Sequence, residues 1–366
     1  MCFPMPSPGP LLYSCEAERL AAFYDARGAV FDRNGRIGHE DMRPLRASPL
    51  FSIAVEPEPI DTPALLQSLT LLGAGDLSIG RLFEGHINAC LLVCQFGSAA
   101  MRHRVAAGVR VGQLLAVWCA DAAEPLQLRP EDRSLRLAGG KAFASGAGIV
   151  SQALVVARDG EARQMVLVEM DGASRVDTAS WQPLGMRASM SFTVDFTGRD
   201  VTEDDLLGDS NDYFREPWFT AGCMRFGAVQ LGGALAIARI THGHLKERNR
   251  GGDQHQQQRL ARMWVALRGA RQHLQSAGAA WDDAELGQAS ADEVILLANI
   301  ARAAVDDACD LVVDLAMKSV GLQGLMTPHP LERRVRDLTT YLRQPSPDAA
   351  VTSIGRSLFE KDRLPW

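Results

Sequence analysis

Apolar residues recur at helical spacing in the first part of the chain. A cluster of leucines lies within 65–72, and a second apolar group lies within 87–93. Residues three or four positions apart share one face of a helix, so both stretches are predicted to be helical. The sequence Asp61-Thr62-Pro63 precedes the first stretch. It is typical of a helix start, with Thr62 as a possible N-cap and Pro63 in the first turn.

The pattern changes to short β-rich runs between residues 113 and 208. The runs LLAVWCA, LVVAR and MVLVEM are rich in valine and leucine, and SFTVDF alternates apolar with polar residues. Turn-like stretches such as DGEAR and TGRD separate them. Several short strands at this spacing predict a small antiparallel barrel or sandwich.

Helical spacing returns in the last part of the chain. Ser290 and Glu293 form a capping-box pattern before an apolar face within 294–315. Asp306 and the neighbouring aspartates fall on other faces and are predicted to be solvated. We therefore predict an α+β protein with an N-terminal α-helical domain (1–112), a central β domain (113–208) and a C-terminal α-helical bundle (209–366).

Composition and charge exclude several classes of protein. The chain has 366 residues, of which 46% are hydrophobic and 22% charged, and its formal net charge is −6. This mild acidity disfavours a nucleic-acid partner. Seven scattered cysteines without a CxxC pair indicate neither a disulfide framework nor a metal site. No apolar run reaches the roughly 18 residues of a membrane span, and MCFPMPSPGP lacks the features of a secretory signal, so we expect a cytoplasmic protein.

The most unusual segment runs from residue 138 to residue 148. Glycines and small residues flank Lys141, Phe143 and Ser145 between two predicted strands. Close backbone approach beside a flat ring suits the binding of a planar heterocycle. A glycine-rich β-turn over the core accounts for the same pattern equally well. The other glycine-rich segment, GAGDLSIG, lies between helical runs and is predicted to be a helix–helix turn rather than a dinucleotide loop.

Gly139, Lys141, Phe143 and Ser145 match the pattern Gly-x-Lys-x-(Trp/Phe)-x-(Thr/Ser), and at this segment the sequence resembles the acyl-CoA dehydrogenase family. The resemblance covers about residues 60–360. It implies an N-terminal helical domain, a central small β-barrel and a C-terminal four-helix bundle. Four further motifs follow in the family's order: Leu184-Gly185-Met186-Arg187-Ala188-Ser189, Glu247-Arg248, Leu331-Glu332-Arg333 and Arg336-Asp337.

The resemblance also implies a bound FAD and assigns residues to it. Phe143 would pack on the flavin ring, and Ser145 would hydrogen-bond flavin N5. A donor at N5 stabilises the negative charge that develops as the flavin accepts hydride. Arg248 would reach the FAD pyrophosphate of a neighbouring subunit, beside a turn that contains Gly321 and Gly324. Because each FAD site is then built from two subunits, we expect a homodimer or homotetramer.

The catalytic base of the family is missing from both of its usual positions. Counted from Arg336-Asp337, one position falls at about Pro345, and the other falls at Met224. Neither side chain can accept a proton. Asp348, Glu84 and His86 are substitutes by residue type only. A turn residue at Asp348 and a surface helix position at Glu84 are the plainer interpretations.

Three functions remain open from the sequence. The first is an FAD-dependent oxidoreductase that acts on the CH–CH group of an acyl thioester and passes electrons to an acceptor flavoprotein. The second is a flavin-dependent monooxygenase of the same fold, which takes reduced flavin from a reductase and reacts with oxygen. The third is a degenerate, non-catalytic homologue. The family resemblance favours the first.

Overall fold

Helices, then two β-sheets, then helices follow one another along the chain, which confirms the predicted order. The computed structural model describes residues 10–131, 134–170, 172, 174–345 and 347–360. The prediction about a secretory signal concerns the N-terminus and lies mostly in residues 1–9, outside the described residues.

Seven helices form the first part of the chain. Asp61, and not Thr62, is the N-cap of the fifth helix, because its carboxylate accepts from Ala64 N at 2.8 Å while Thr62 already lies inside the helix. Asp76 alone separates the fifth and sixth helices, so GAGDLSIG is a helix–helix junction as predicted. The helices are α1 (Pro10–Asp25), α2 (Gly28–Asn34), α3 (Arg43–Arg46), α4 (Pro49–Ser52), α5 (Thr62–Gly75), α6 (Leu77–Phe96) and α7 (Ala99–Arg110).

Ten strands form two sheets in the central part. They are β1 (Leu115–Trp118), β2 (Gln127–Glu131), β3 (Ser134–Ala138), β4 (Gly140–Ala144), β5 (Gln152–Asp159), β6 (Ala162–Glu169), β7 (Arg175–Asp177), β8 (Phe192–Asp195), β9 (Arg199–Val201) and β10 (Leu206–Leu207). The larger sheet has the order β10–β6–β5–β2–β3–β9, with β1 also beside β5. The smaller sheet has the order β4–β8–β7.

The predicted antiparallel pairing is confirmed for six of the eight strand pairs in the described residues and is wrong for the other two. Strands β1 and β2 both pair with β5 in parallel. A parallel pair needs a long connection, and the intervening strands provide one between β1 and β5. Isolated bridges from Asp121 to Lys141 and from Pro125 to Gly140 join the start of β4 to the loop after β1.

Five helices form the last part of the chain: α8 (Trp218–Glu247), α9 (Gln254–Glu285), α10 (Ala291–Val320), α11 (Pro330–Tyr341) and α12 (Pro347–Phe359). Helices α8, α9 and α10 pack against one another, α11 packs on α8, and α12 packs on α10. Ser290 caps α10 as predicted, accepting from Glu293 N at 3.2 Å.

Helices α5 and α8 cross closely and join the first and last parts of the chain. A Cβ atom at Gly73 would lie 2.2 Å from Val229 O, and one at Gly232 would lie 2.0 Å from Thr70 O. Two side-chain-free positions therefore let the two backbones touch. This crossing fixes the position of α8 relative to the N-terminal helices.

Two helices, α6 and α8, are long and apolar enough to cross a membrane by length and composition alone. Inside the fold, 72% of the most apolar window of α6 and 83% of that of α8 are buried. A helix that is apolar on most sides is equally suited to the interior of a large protein. Both are central helices of this fold.

Candidate active site

A cavity of about 670 Å³ lies between the β region and the helices. Its size falls within the roughly 300–1,000 Å³ typical of small-molecule sites. Phe143 and Ser145 line it from the end of β4, Glu84 from α6, Arg225 from α8 and Tyr341 from the end of α11. The structure therefore brings the two ring-binding residues predicted from sequence together with one candidate base.

A larger, open groove of about 1170 Å³ lies between α2 and the segment 178–192. Its described lining includes Arg27, Arg36 and Arg187 but no site residue predicted from the sequence. Trp181 lies on the border of both spaces. We therefore take the smaller cavity as the candidate active site.

Phe143 is presented to the cavity in an unusual conformation. Its backbone has φ +53°, and its side chain is 66% exposed although it is a large apolar residue. The pairing of β4 with β8 shifts register between Lys141 and Ala144. A left-handed conformation in a bulky residue costs about 1–2 kcal/mol, and such strain concentrates at functional sites. This geometry favours a ring-facing role over a turn that covers the core.

Ser145 is nearly buried, and its hydroxyl is held from two sides. Arg81 Nε donates to Ser145 Oγ at 3.3 Å, and Ser191 Oγ lies 2.9 Å from it. Trp118 Nε1 also donates to the carbonyl of Ser145 at 3.0 Å. Ser189 donates its own proton to a backbone carbonyl, so Ser191 donates to Ser189 and Ser145 in turn donates to Ser191. To donate to a ring in the cavity, the hydroxyl of Ser145 would have to turn its proton away from Ser191.

Four polar residues form a chain of hydrogen bonds along the cavity wall: Arg81, Glu84, Asn88 and Arg225. Glu84 is 1% exposed, and its two oxygens accept from Arg81 and Asn88. Asn88 accepts in turn from Arg225. Burial disfavours the charge of Arg81, but Glu84 and two neighbouring tyrosines together outweigh burial and raise the pKa of the guanidinium. The plain interpretation of Glu84 as a surface position is wrong, because it lies on the inner face of α6.

The structure does not bring the other two candidate bases to the cavity. His86 is fully buried: its Nε2 donates to Phe51 O at 2.9 Å, and its Nδ1 accepts from Leu115 N at 3.1 Å. Asp348 is exposed on α12 and does not line the cavity. At the family positions, Met224 is fully buried and Pro345 lines the cavity. Glu84 is thus the one carboxylate in the described lining.

We predict that His86 makes stability depend on pH. Burial lowers its pKa from 6.5 to about 4, so the folded state resists protonation that the unfolded state accepts. The neutral, buried His86 therefore contributes fully to the free energy of unfolding above pH 6.5. As the pH falls towards 4, this contribution is lost, which lowers the free energy of unfolding by about 3 kcal/mol. Urea unfolding at pH 7 and 4.5 should show that the free energy of unfolding decreases less between these pH values in His86→Gln than in the wild type. Replacing exposed His39 should leave the profile unchanged, and parallel profiles for His86→Gln would contradict the prediction.

Lys141 is a structural residue beneath the cavity. Its ammonium is 1% exposed and donates to Asp121 Oδ1 and Cys119 O, each at 2.8 Å. Burial lowers the pKa of Lys141, and Asp121 partly offsets this. Cys119 and Ala120 line the cavity beside β4. Lys141 thus ties the loop after β1 to the strand that carries Phe143 and Ser145.

The remaining predicted cofactor residues form a separate cluster. Arg248 lies at the exposed end of α8, and its Nη2 donates to Gln323 Oε1 at 2.9 Å. Gln323 lies between Gly321 and Gly324, so the predicted arginine and glycine turn meet. These residues do not line the cavity. Their role towards a pyrophosphate requires a neighbouring subunit and stays a prediction.

Comparison with known proteins shows which family the chain is similar to. Residues 224–343 match the family model described as the acyl-CoA dehydrogenase C-terminal domain. Mitochondrial isobutyryl-CoA dehydrogenase of Bos taurus is 24% identical over 323 residues, which cover 82% of this chain and 75% of that protein. The chain is acyl-CoA dehydrogenase-like.

Solved structures share the fold of this acyl-CoA dehydrogenase-like protein over nearly its whole length. FMN-bound TdsC from Paenibacillus sp. A11-2 superposes with a TM-score of 0.84 at 19% identity, covering 96% of this chain and 98% of that one. The HsaA monooxygenase from M. tuberculosis has a TM-score of 0.85 at 15% identity, covering 98% of both chains. Family and fold together indicate a flavin-dependent oxidoreductase.

Sequence reasoning missed several residues of the site. Arg81, Asn88 and Tyr341 all line the cavity, and none was singled out. A usable signal existed for the first two, because Arg81, Glu84 and Asn88 are spaced by three and four residues and must share one helix face. Tyr341 has no such signal, since its position depends on how α11 packs against α8.

Proposed function

We propose that the protein is a flavin-dependent monooxygenase that uses reduced flavin and oxygen. The observation that carries this proposal is the lack of a free base in the described cavity lining. Removal of the α-proton of a thioester requires a base within reach of that proton. Both oxygens of Glu84 are already engaged by Arg81 and Asn88, and Met224 and Pro345 occupy the family positions.

The residues of the cavity suit a bound flavin ring. Phe143 and Trp181 lie edge to face, with ring centres 6.3 Å apart, beside the hydroxyl of Ser145. Ser145 would donate to the ring, and Arg81 and Ser191 would hold that hydroxyl in place. A bound reduced flavin supplies two electrons, so that one atom of O₂ enters the substrate and the other leaves as water. FAD is the form that the family resemblance implies, and FMN bound to TdsC supports a flavin of either kind.

Two named neighbours support the oxygenase proposal. HsaA is described as a monooxygenase, and TdsC as a dibenzothiophene monooxygenase. A reductase that delivers reduced flavin is the partner that this function requires. The expected cytoplasmic location and the homodimer or homotetramer remain part of the proposal.

A second candidate is dehydrogenation of an acyl thioester, with an acceptor flavoprotein as partner. It is favoured by the similarity to isobutyryl-CoA dehydrogenase and by the presence of Glu84 in the cavity wall. It requires Glu84 to release one of its two donors when substrate binds.

Anaerobic and aerobic mixing separate the two functions. The protein loaded with FAD or FMN is mixed without oxygen with isobutyryl-CoA, butyryl-CoA and octanoyl-CoA, and we expect no bleaching of the flavin. With photoreduced flavin and oxygen, we expect Ser145→Ala to release hydrogen peroxide at least tenfold faster than the wild type, because one donor to the ring is lost. Ser276→Ala is the control, since Ser276 is exposed on α9 and does not line the cavity. Bleaching by any of these thioesters would contradict the proposal.

A further inference from the structure

We infer that the substrate of this cavity carries a negatively charged group, and that Arg225 binds it. The inference rests on the proposed function, because it takes the space beside the flavin to be the substrate site. It names the substrate class as a small carboxylic acid with an apolar body.

The first support is an imbalance of charge in the buried chain of hydrogen bonds. Two guanidinium groups, Arg81 and Arg225, share the single carboxylate of Glu84, and Arg225 reaches it only through Asn88. Arg225 is 8% exposed, and no carboxylate lies within 4 Å of it among the described residues. Burial lowers its pKa, but an arginine stays protonated at neutral pH. Glu84 is the only carboxylate in the described lining and stabilises the charge of Arg225 from a distance while it pairs directly with Arg81, so an anionic ligand would supply the second negative charge.

The second support is Arg302, which lines the same cavity from α10. Its Nη2 donates to Pro345 O at 2.6 Å, and its guanidinium lies 5.3 Å from the ring centre of Phe226. Its Nε is buried without a hydrogen-bond partner in the described part of the chain. The closest acidic neighbour in sequence is Asp306, whose pKa burial raises to about 6. Asp306 is ionised at pH 7 and offsets part of the charge of Arg302. Among the described lining residues, however, four arginines face the single carboxylate of Glu84.

The third support is the hydroxyl of Tyr341. It is buried, and its polar neighbours include Arg81 and Glu84 on the cavity wall. Burial raises the pKa of Tyr341, so the hydroxyl keeps its proton and can donate it. A hydroxyl and a guanidinium in one cavity are the donors that recognise a carboxylate.

The body of the ligand is expected to be apolar. Trp218, Phe219 and Phe226 line the cavity on the side of α8 that carries Arg225. Such a lining suits an aromatic or aliphatic body, with the charged group fixing its orientation. A negatively charged flavin is the alternative partner of Arg225, and the experiment below distinguishes it from a substrate carboxylate.

Calorimetric titration of the flavin-loaded protein tests the inference. Phenylacetate, indole-3-acetate and hexanoate are each compared with their neutral amides. We expect at least one carboxylate to bind at least tenfold more tightly than its amide. Arg225→Gln should reduce this preference to within twofold, and Arg225→Lys should keep part of it. Arg239→Gln is the matched control, because Arg239 is an exposed arginine on the same helix, and it should keep the full preference.

Three results would overturn the inference. One is equal affinity for every acid and its amide in the wild type. Another is a preference that persists in Arg225→Gln, with folding verified by an unchanged melting temperature. The third is a selective loss of flavin affinity in that variant, which would assign Arg225 to the flavin. Because these are equilibrium measurements, failure of the oxygen assay together with an intact preference would reject the oxygenase function and leave the anion site standing.

Discussion

Glu84→Gln is expected to lower the free energy of unfolding by about 3–5 kcal/mol, the usual result of removing one partner from a buried ion pair. The substitution keeps the size of the side chain and removes the one negative charge between Arg81 and Arg225. Two guanidinium groups of the same hydrogen-bonded chain then lack a carboxylate among the described lining residues. Urea unfolding at pH 7 measures the effect, and added formate or acetate should restore part of the lost stability because small anions can enter the cavity.

A matched control exists on the surface of the protein. Glu16 and Arg19 also form a pair three residues apart on a helix, with an N···O distance of 2.7 Å, but the arginine side chain is 56% exposed. Glu16→Gln should therefore change stability by at most about 1 kcal/mol. An equal effect of the two substitutions would show that Glu84 contributes no more than an exposed carboxylate.

Asp121→Ala should destabilise the protein by about 3 kcal/mol and weaken flavin binding. It leaves the buried ammonium of Lys141 with only the carbonyl of Cys119 as partner. We place the effect at the lower end of the range for buried pairs, because the Asp121 side chain is 23% exposed. Flavin binding should weaken because Lys141 connects the loop after β1, which lines the cavity, to β4. Thermal unfolding and a flavin titration measure the two effects.

Two further variants isolate the role of this pair. Arg158 is the second partner of Asp121, and the Arg158 side chain is 42% exposed. Arg158→Gln should therefore change the free energy of unfolding by less than about 1 kcal/mol. The double variant Lys141→Met with Asp121→Leu replaces the pair by apolar residues and should be closer to the wild type than Asp121→Ala. A double variant that is less stable than Asp121→Ala would contradict this account.

Local pattern was sufficient to predict the order of elements. The alternation in SFTVDF became β8, and the capping box at Ser290 starts α10. The small residues around Phe143 and Ser145 were equally compatible with a ring-binding strand end and a glycine-rich turn, and both residues line the cavity. These features depend on neighbours in sequence, which the sequence displays directly.

The remaining features depend on tertiary packing. The helical spacing of Glu84 was readable, but the face of α6 that points inward is decided by contacts with distant strands. His86 was a candidate catalytic base, but both of its ring nitrogens form hydrogen bonds with backbone groups of Phe51 and Leu115 in other elements. The parallel pairing of β1 with β5 likewise joins segments more than thirty residues apart. None of these pairings leaves a periodic trace in the sequence.

The crossing of α5 and α8 has a consequence for how this molecule can acquire new specificity. At Gly73 and Gly232 main chain rests on main chain, so the spacing of the two helices cannot shrink and cannot be tuned by exchanging side chains there. The position of α8, which carries Arg225, is thus fixed. The shape of the cavity is set by the side chains that project into it. Variation in ligand choice is accordingly expected in the side chains that line the cavity from α6, α8, α10, α11 and β4, and not in the distance between α5 and α8.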